Sequence, residues 1–213
     1  MRWTLKVLSV NVGRPVEREW KGQRVSTSIF KHPIEGEVKV GLYDLEGDEQ
    51  ADLSVHGGAN KAVYVYPFEH YSYWSEKLSG VDLTMGNFGE NLTTEGVSEE
   101  DIHVGDELEI GTAKFLVTQP RLPCYKLGFR FEREDMVKLF FQSRRFGFYL
   151  RVLREGVLQA GSAIKVLSRD PHDVSVADLV RLATRETSDP ELLKRALSLP
   201  MLPRGFREEL PGG

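Results

Sequence analysis

The apolar segments of this chain are all short. The longest stretch without Asp, Glu, Lys or Arg is residues 156–164, nine residues. A bilayer-crossing helix needs about 20 apolar residues, so none is expected. What remains over residues 1–167 is a series of short runs, several alternating in hydrophobicity and punctuated by turn residues. Residues 5–12 are mostly apolar and stop at Gly13. Residues 37–43 alternate charge and apolar side chains, as a strand with one wet face does. Residues 62–66 are dense in β-branched and aromatic types and are stopped by Pro67. Residues 108–110 and 114–118 flank Gly111-Thr112 and read as a hairpin, and residues 148–153 and 163–167 close the region. Helices are few. Residues 67–78 carry Phe68, Tyr71, Trp74 and Leu78 at helical spacing, and residues 134–143 carry Met136, Leu139 and Phe140 on one face. Many short strands with few helices predict a mainly β barrel or sandwich rather than a parallel α/β sheet. Residues 104–110 echo residues 160–166, each placing a turn glycine before an alternating strand, which suits two strands of one barrel that begin alike.

The texture changes after Leu167. Residues 168–173 are polar and read as a linker. Ser175 and Asp178 give an N-terminal capping signal, followed by an apolar face of Val176, Leu179, Val180 and Ala183. Ser188-Asp189-Pro190 starts a second helix, and residues 203–210 suit a third. About 45 residues in two or three helices cannot bury a large core alone. The expected division is therefore a β domain over 1–167 and a helical domain over 168–213. The latter must dock on the former, on a second copy of the chain in a homodimer, or on another partner.

Composition narrows the function. With 28 Lys+Arg against 32 Asp+Glu the net charge is −4, so no nucleic-acid partner is expected and any anion site must be a local basic pocket. The first residues, Met1 to Lys6, have neither a long apolar core nor a small-residue cleavage site, so no secretion signal is read there. The single cysteine, Cys124, excludes an internal disulfide and a cysteine-based structural zinc site, and a reducing, cytoplasmic setting is the simplest expectation.

Three loops concentrate the chemistry. In Gln119-Pro120-Arg121-Leu122-Pro123-Cys124-Tyr125-Lys126-Leu127, two prolines stiffen the segment and Arg121 and Lys126 flank the thiol. Nearby cations favour thiolate, which makes Cys124 a metal ligand or a nucleophile; the plainer alternative is a buried cysteine beside two surface charges. In His56-Gly57-Gly58-Ala59-Asn60-Lys61 the glycines let backbone N–H groups approach a ligand, with His56 orienting a group and Lys61 adding charge; the alternative is a glycine-rich hairpin. In Gly86-Asn87-Phe88-Gly89-Glu90-Asn91-Leu92-Thr93, Asn91 can donate and accept at a heterocycle edge, or simply satisfy its own turn. His32, His70, His103 and His172 lack metal-ligand spacing, and no Gly-rich nucleotide loop is present.

Taken in order, His-Gly-Gly-x-x-Lys-Ala-Val, Gly-x-Phe-Gly-Glu-Asn-Leu-Thr, Val-Gly-Asp and Gln-Pro-Arg-x-Pro-Cys-x-Lys-Leu resemble the MOSC family, named for the C-terminal domain of molybdenum cofactor sulfurase, and its YiiM-type subgroup with a C-terminal 3-alpha domain. The resemblance implies a closed β-barrel that binds molybdopterin-type cofactor. It implies Cys124 as molybdenum ligand and catalytic centre, with Thr27, Ser28, His56, Lys61, Asn91, Arg121 and Lys126 as pocket residues. Ser28 replaces the glycine usual in the family's Thr-Gly-Ile turn. Pyridoxal phosphate binding belongs to the family's description and carries over to no residue here. The implied activity is reduction of N-hydroxylated small molecules, such as hydroxylaminopurines, with electrons from a separate donor protein, since the chain has no flavin motif and too few cysteines for an iron–sulfur cluster. A non-redox carrier of cofactor or sulfur is the alternative, and a Cys124–His56 thiol hydrolase a third.

Overall fold

The computed structural model describes residues 5–51 and 57–212. In chain order it contains β1 (Lys6–Val12), β2 (Val16–Trp20), β3 (Gln23–Thr27), β4 (His32–Ile34), β5 (Val38–Val40), a 3-10 turn (Ala59–Lys61), β6 (Val63–Pro67), α1 (Glu69–Lys77), β7 (Leu92–Glu95), β8 (Glu107–Ile110) and β9 (Ala113–Pro120). There follow α2 (Tyr125–Phe131), α3 (Met136–Ser143), β10 (Phe148–Arg154), β11 (Gly156–Leu158), β12 (Ile164–Ser168), α4 (Val176–Ala183), α5 (Pro190–Ser198) and α6 (Arg204–Arg207).

Eight strands form one sheet in the order β12-β8-β9-β10-β6-β7-β1-β4, all neighbours antiparallel except β6 and β7. The mainly β expectation agrees with this sheet. A closed barrel is not found among the described residues. β12 and β4 end the sheet, and no ladder joins them. The reason lies in β1, whose free edge is divided. Its C-terminal half, Val10 to Val12, pairs with β4. Its N-terminal end meets the chain entering β12 through a single bridge, Lys6 to Ala163, with Val7 N–H donating to Ser162 O at 2.9 Å and Ile164 N–H to Leu5 O at 2.8 Å. The two segments that echo each other in sequence prove to be neighbours: β8 and β12 pair antiparallel, and Gly105 and Gly161 both take positive φ.

Several elements are shorter than the hydrophobic pattern suggests, or absent from it. The strand expected over 37–43 is only Val38–Val40, because Gly41 N–H turns back to Asp44 O at 2.9 Å. The β2–β3 hairpin turns at Lys21-Gly22, both with positive φ, and its charged Glu17, Arg18 and Glu19 hide it from an apolar count. Helix α2 begins directly after Cys124, where a loop was expected.

Two buried clusters result. One joins the sheet's aliphatic face (Val7, Val10, Val63, Leu92, Phe115, Leu150) to the tail helices through Leu179, Leu182, Ala196, Leu199 and Phe206. The other is aromatic, built on Tyr64, Tyr66, Trp74, Phe88, Phe140 and Phe146. Trp74 Nε1 donates to Tyr66 Oη at 2.6 Å, and the Trp74 and Phe140 rings stack at 5.6 Å. The tail thus docks on the sheet of its own chain. Ser175 caps α4 as its sequence predicts: its Oγ accepts from Asp178 N–H at 3.0 Å, and its own N–H donates to the Asp178 carboxylate at 3.1 Å. Asp189 caps α5 ahead of Pro190. Among the described residues no helix is long and apolar enough to cross a membrane.

Candidate functional site

Strand β9 runs to Pro120 and delivers a short stiff segment, residues 121–124, to the start of α2. Arg121 N–H donates to Gly147 O at 3.2 Å, which pins this segment beside β10. Cys124 stands in extended conformation immediately before α2, half-buried. Two cavities meet at it. The first is lined by Thr27, Ser28, Lys31, Asp48, Lys61, Tyr64, Asn91, Arg121, Cys124, Lys126 and Tyr149, among others. The second lies between the 57–61 loop and α6. Lys61, Leu122, Cys124 and Tyr149 belong to both linings, so the thiol sits on the ridge that separates them.

Seven of the eight residues singled out from the sequence converge on the first cavity: Thr27, Ser28, Lys61, Asn91, Arg121, Cys124 and Lys126. The eighth, His56, lies outside the described residues, and with it the Cys124–His56 pairing that a thiol hydrolase requires.

The cavity is cationic. Arg121 is 6% exposed, and its guanidinium lies over the Tyr64 ring at 4.8 Å and the Phe140 ring at 5.6 Å. Burial works against its charge, but Tyr64 and Tyr149 outweigh it, and the Arg121 pKa stands above its ordinary value. Its Nη1 is buried without a hydrogen-bond partner among the described residues, and so is Ser28 Oγ. Two buried polar groups without partners in the lining of one cavity are costly in an apo-protein unless a ligand uses them. Lys126 is 7% exposed and lines the same cavity. Lys61 is held below its ordinary pKa by burial, partly offset by Cys124.

Other residues build the floor. Asn91, 4% exposed, has its amide fully engaged within the protein: Nδ2 donates to Asp48 Oδ2 at 2.8 Å, and Oδ1 accepts from Tyr64 N–H at 3.0 Å. It therefore shapes the cavity instead of offering a free amide to it. Asp48 also accepts from Gly13 N–H at 2.8 Å and pairs with the buried Lys31, whose pKa burial lowers against the opposing effect of Asp48. Thr27 Oγ1 accepts from Ile29 N–H at 3.2 Å and shapes the turn that presents Ser28. Ser28 does not take positive φ, so serine occupies this turn without backbone strain.

Lys31, Asp48, Tyr64 and Tyr149 escape a sequence reading. Tyr64 and Tyr149 sit in strands whose apolar pattern describes them adequately as core. Lys31 and Asp48 look like ordinary surface charges until the fold buries them as a pair. Two further arginines at the end of α3 make other contacts: Arg144 pairs with Glu186, and Arg145 lies over the Tyr73 ring at 4.1 Å. Among the described residues no group of three or more His, Cys, Asp or Glu is placed to hold a metal.

Comparison with known proteins agrees with this geometry. The family model described as MOSC domain matches residues 52–165. Protein YflK of Bacillus subtilis (strain 168) is 40% identical over 201 residues, covering 94% of this chain and 90% of YflK. A Gibberella moniliformis (strain M3125 / FGSC 7600) protein named Reductase is 33% identical over 198 residues, 92% of this chain but 35% of that longer protein. The crystal structure of YiiM from Geobacillus stearothermophilus superposes with a TM-score of 0.79 at 34% identity, with 96% of each chain covered. Together with the converging loops, these similarities establish that the chain belongs to the MOSC domain family, as a YiiM-like member.

Proposed function

We propose that this protein binds molybdenum cofactor through Cys124 and reduces N-hydroxylated small molecules, hydroxylaminopurines among them. The observation that carries the reading is the position of the thiol. It stands between a cationic cavity, whose buried donors lack partners among the described residues, and a second cavity able to receive a substrate.

The residues present fit the cofactor. Arg121 Nη1, Ser28 Oγ, Lys61 and Lys126 offer positive charge and donors to an anionic phosphate-bearing group. Cys124 offers the soft sulfur that suits a high-valent metal whose remaining ligands arrive with the cofactor. When bound, the cofactor supplies the two-electron chemistry that side chains lack, and the protein contributes orientation, charge and exclusion of water. The stacked Tyr64 ring holds the Arg121 plane, and Asn91, Asp48 and Lys31 keep the floor rigid.

In this reading residues 1–167 hold the cofactor, and residues 168–213 contribute the outer wall of the second cavity through Pro203, Gly205, Phe206 and Glu209. The same tail serves as the docking side for a separate electron-donor protein. The fungal relative named Reductase, longer than this chain, supports a redox role over a carrier role. The test is elemental analysis of protein made in a cofactor-competent host, followed by reduction of a hydroxylaminopurine with dithionite-reduced viologen. About one molybdenum per chain, lost in Cys124→Ala, and turnover of the hydroxylamine are expected. Molybdenum without turnover would reassign the protein as a carrier, and a molybdenum content unchanged in Cys124→Ala would remove the ligand assignment.

A further inference from the structure

Two tyrosines flank Arg121, and they differ in what their hydroxyls do. The Tyr64 and Tyr149 rings lie 5.3 Å apart. Tyr64 Oη donates to Phe146 O at 2.8 Å, so its proton is committed to the protein. Among the described residues the Tyr149 hydroxyl donates no hydrogen bond; its one side-chain partner is the Arg121 guanidinium. The Arg121 guanidinium beside it has only N–H groups and cannot accept. Tyr149 lines both cavities, as Cys124 does, and so borders the place where a substrate in the second cavity would meet a group held in the first.

The backbone explains why Tyr149 reaches this position. The β9–β10 register slips between Tyr149, opposite Gln119, and Leu150, opposite Val117. Thr118, the extra residue of this bulge, lies within hydrogen-bond distance of the carbonyls of both Tyr149 (3.1 Å) and Asn60 (2.7 Å) through its Oγ1. A bulge re-aims the side chain beside it, and here Thr118 ties that side chain's strand to the loop that carries Lys61.

We propose that Tyr149 is the proton donor of the site. The inference rests on the reductase reading above. Reduction of R–NH–OH consumes two electrons and two protons and yields R–NH₂ and water. As the N–O bond breaks, the nitrogen must gain a proton, and the oxygen leaves as water after gaining the other. Tyr149 gives its phenolic proton to the nitrogen, solvent supplies the second, and the phenolate beside Arg121 recovers its proton from solvent. The two electrons come from an external low-potential donor, and the cofactor, when bound, would supply the two-electron chemistry that side chains lack. A tyrosine hydroxyl ordinarily titrates at about 10, so the phenol holds its proton at neutral pH between turnovers. Lys61 is the other proton-bearing group on the ridge, and it carries an interaction of its own within the fold.

The test compares wild-type and Tyr149→Phe protein, both loaded with cofactor, with Lys61→Met in parallel. Four quantities are read: molybdenum per chain, thermal midpoint, affinity for the amine product, and turnover with reduced viologen. Loss of a positioned proton donor lowers turnover by roughly 100- to 10,000-fold. The expected result is that drop in kcat for Tyr149→Phe, with molybdenum content unchanged and product affinity within about twofold. Turnover within threefold of wild type overturns the assignment, as does a molybdenum content that falls in step with turnover, which would make Tyr149 a cofactor-holding residue. An equal drop in Lys61→Met with unchanged molybdenum gives the proton to Lys61 and overturns it too. If wild-type protein holds molybdenum but reduces no N-hydroxylated compound, the reductase reading fails and this inference fails with it. An active wild type with an unaffected Tyr149→Phe sinks the inference alone.

Discussion

The Asn91 side chain donates from Nδ2 to Asp48 Oδ2 at 2.8 Å, joining the Asn-Leu-Thr loop to a carboxylate 43 residues earlier in the chain. The contact lies beneath the cavity, and each partner has further commitments. Asn91 holds Tyr64 N–H, while Asp48 holds Gly13 N–H and Lys31. Truncation to Asn91→Ala strands a buried backbone N–H and removes one donor from a buried carboxylate. The expected cost is about 2–4 kcal/mol, or roughly 5–15 °C in Tm for a domain of this size. Urea unfolding of the apo-protein checks it. A cost below about 0.5 kcal/mol would mean that Asn91 serves ligand alone.

Arg121 should behave in the opposite way. Its Nη1 is buried without a hydrogen-bond partner among the described residues, and its packing over the Tyr64 and Phe140 rings is a contact that an apolar side chain can partly keep. Arg121 has no ion-pair partner among the described residues, so its removal leaves no opposite charge buried and uncompensated. Arg121→Met is expected to leave Tm within a few degrees while removing most bound molybdenum. Loss of stability in proportion to molybdenum would instead identify a structural arginine.

The single thiol gives a chemical readout. Cys124 is half-buried on the ridge between the two cavities, and no other cysteine competes. Iodoacetamide should modify one site per chain in cofactor-free protein and none in loaded protein, as read by intact mass. Equal labelling of both forms would place the bound group away from the sulfur.

The tail offers a packing test that crosses the expected domain boundary. Phe206 is 3% exposed and belongs to the same buried cluster as the sheet's aliphatic face. Phe206→Ala should cost about 3–5 kcal/mol, within a single cooperative transition shared by near- and far-ultraviolet signals. Two separated transitions would show that residues 168–213 melt independently.

How much of this was legible beforehand depends on what each residue does. The capping box of Ser175 and Asp178 and the Pro190 start are local devices, so spacing alone locates them. The turn at Lys21-Gly22 depends on backbone sign, and the strands around it carry charge on exposed faces, so hydrophobic periodicity passes over that hairpin. The loops with Cys124, Asn91 and Lys61 stand out through their glycines and prolines, and the fold brings them to one cavity. Lys31, Asp48 and Tyr149 have no such punctuation. Their roles come from long-range placement: an ion pair that only burial makes significant, and a tyrosine aimed by a bulge whose extra residue is on the neighbouring strand. Closure of the barrel was equally out of reach, because it turns on how β1 divides one edge between β4 and residues 161–164.

Glu99 provides the pH-dependent prediction. It is 6% exposed; its Oε1 accepts from Gly147 N–H at 2.8 Å, and His70 Nε2 stands 2.9 Å from both of its oxygens. Gly147 has φ 64, and a Cβ there would meet Val65 O at 2.3 Å, so only glycine fits where this N–H is presented to Glu99. Its carbonyl in turn accepts from Arg121 N–H at 3.2 Å, which makes Glu99 the outer anchor of the segment that carries Cys124. Burial works against the Glu99 charge, yet the His70 contact and the Gly147 N–H outweigh it, and its pKa lies below the ordinary 4.5. A carboxylate depressed in the folded state adds stability that is present above its unfolded pKa and lost as pH falls through the folded one. Wild-type protein should therefore lose stability more steeply than Glu99→Gln as pH drops from about 5 towards 3. The gap between them, about 1–3 kcal/mol at pH 7, should close over that window. Urea midpoints at pH 7, 5, 4 and 3 measure it. A gap that stays constant to pH 3 would show that the Glu99 charge does not contribute, and that Gly147 is held by geometry alone.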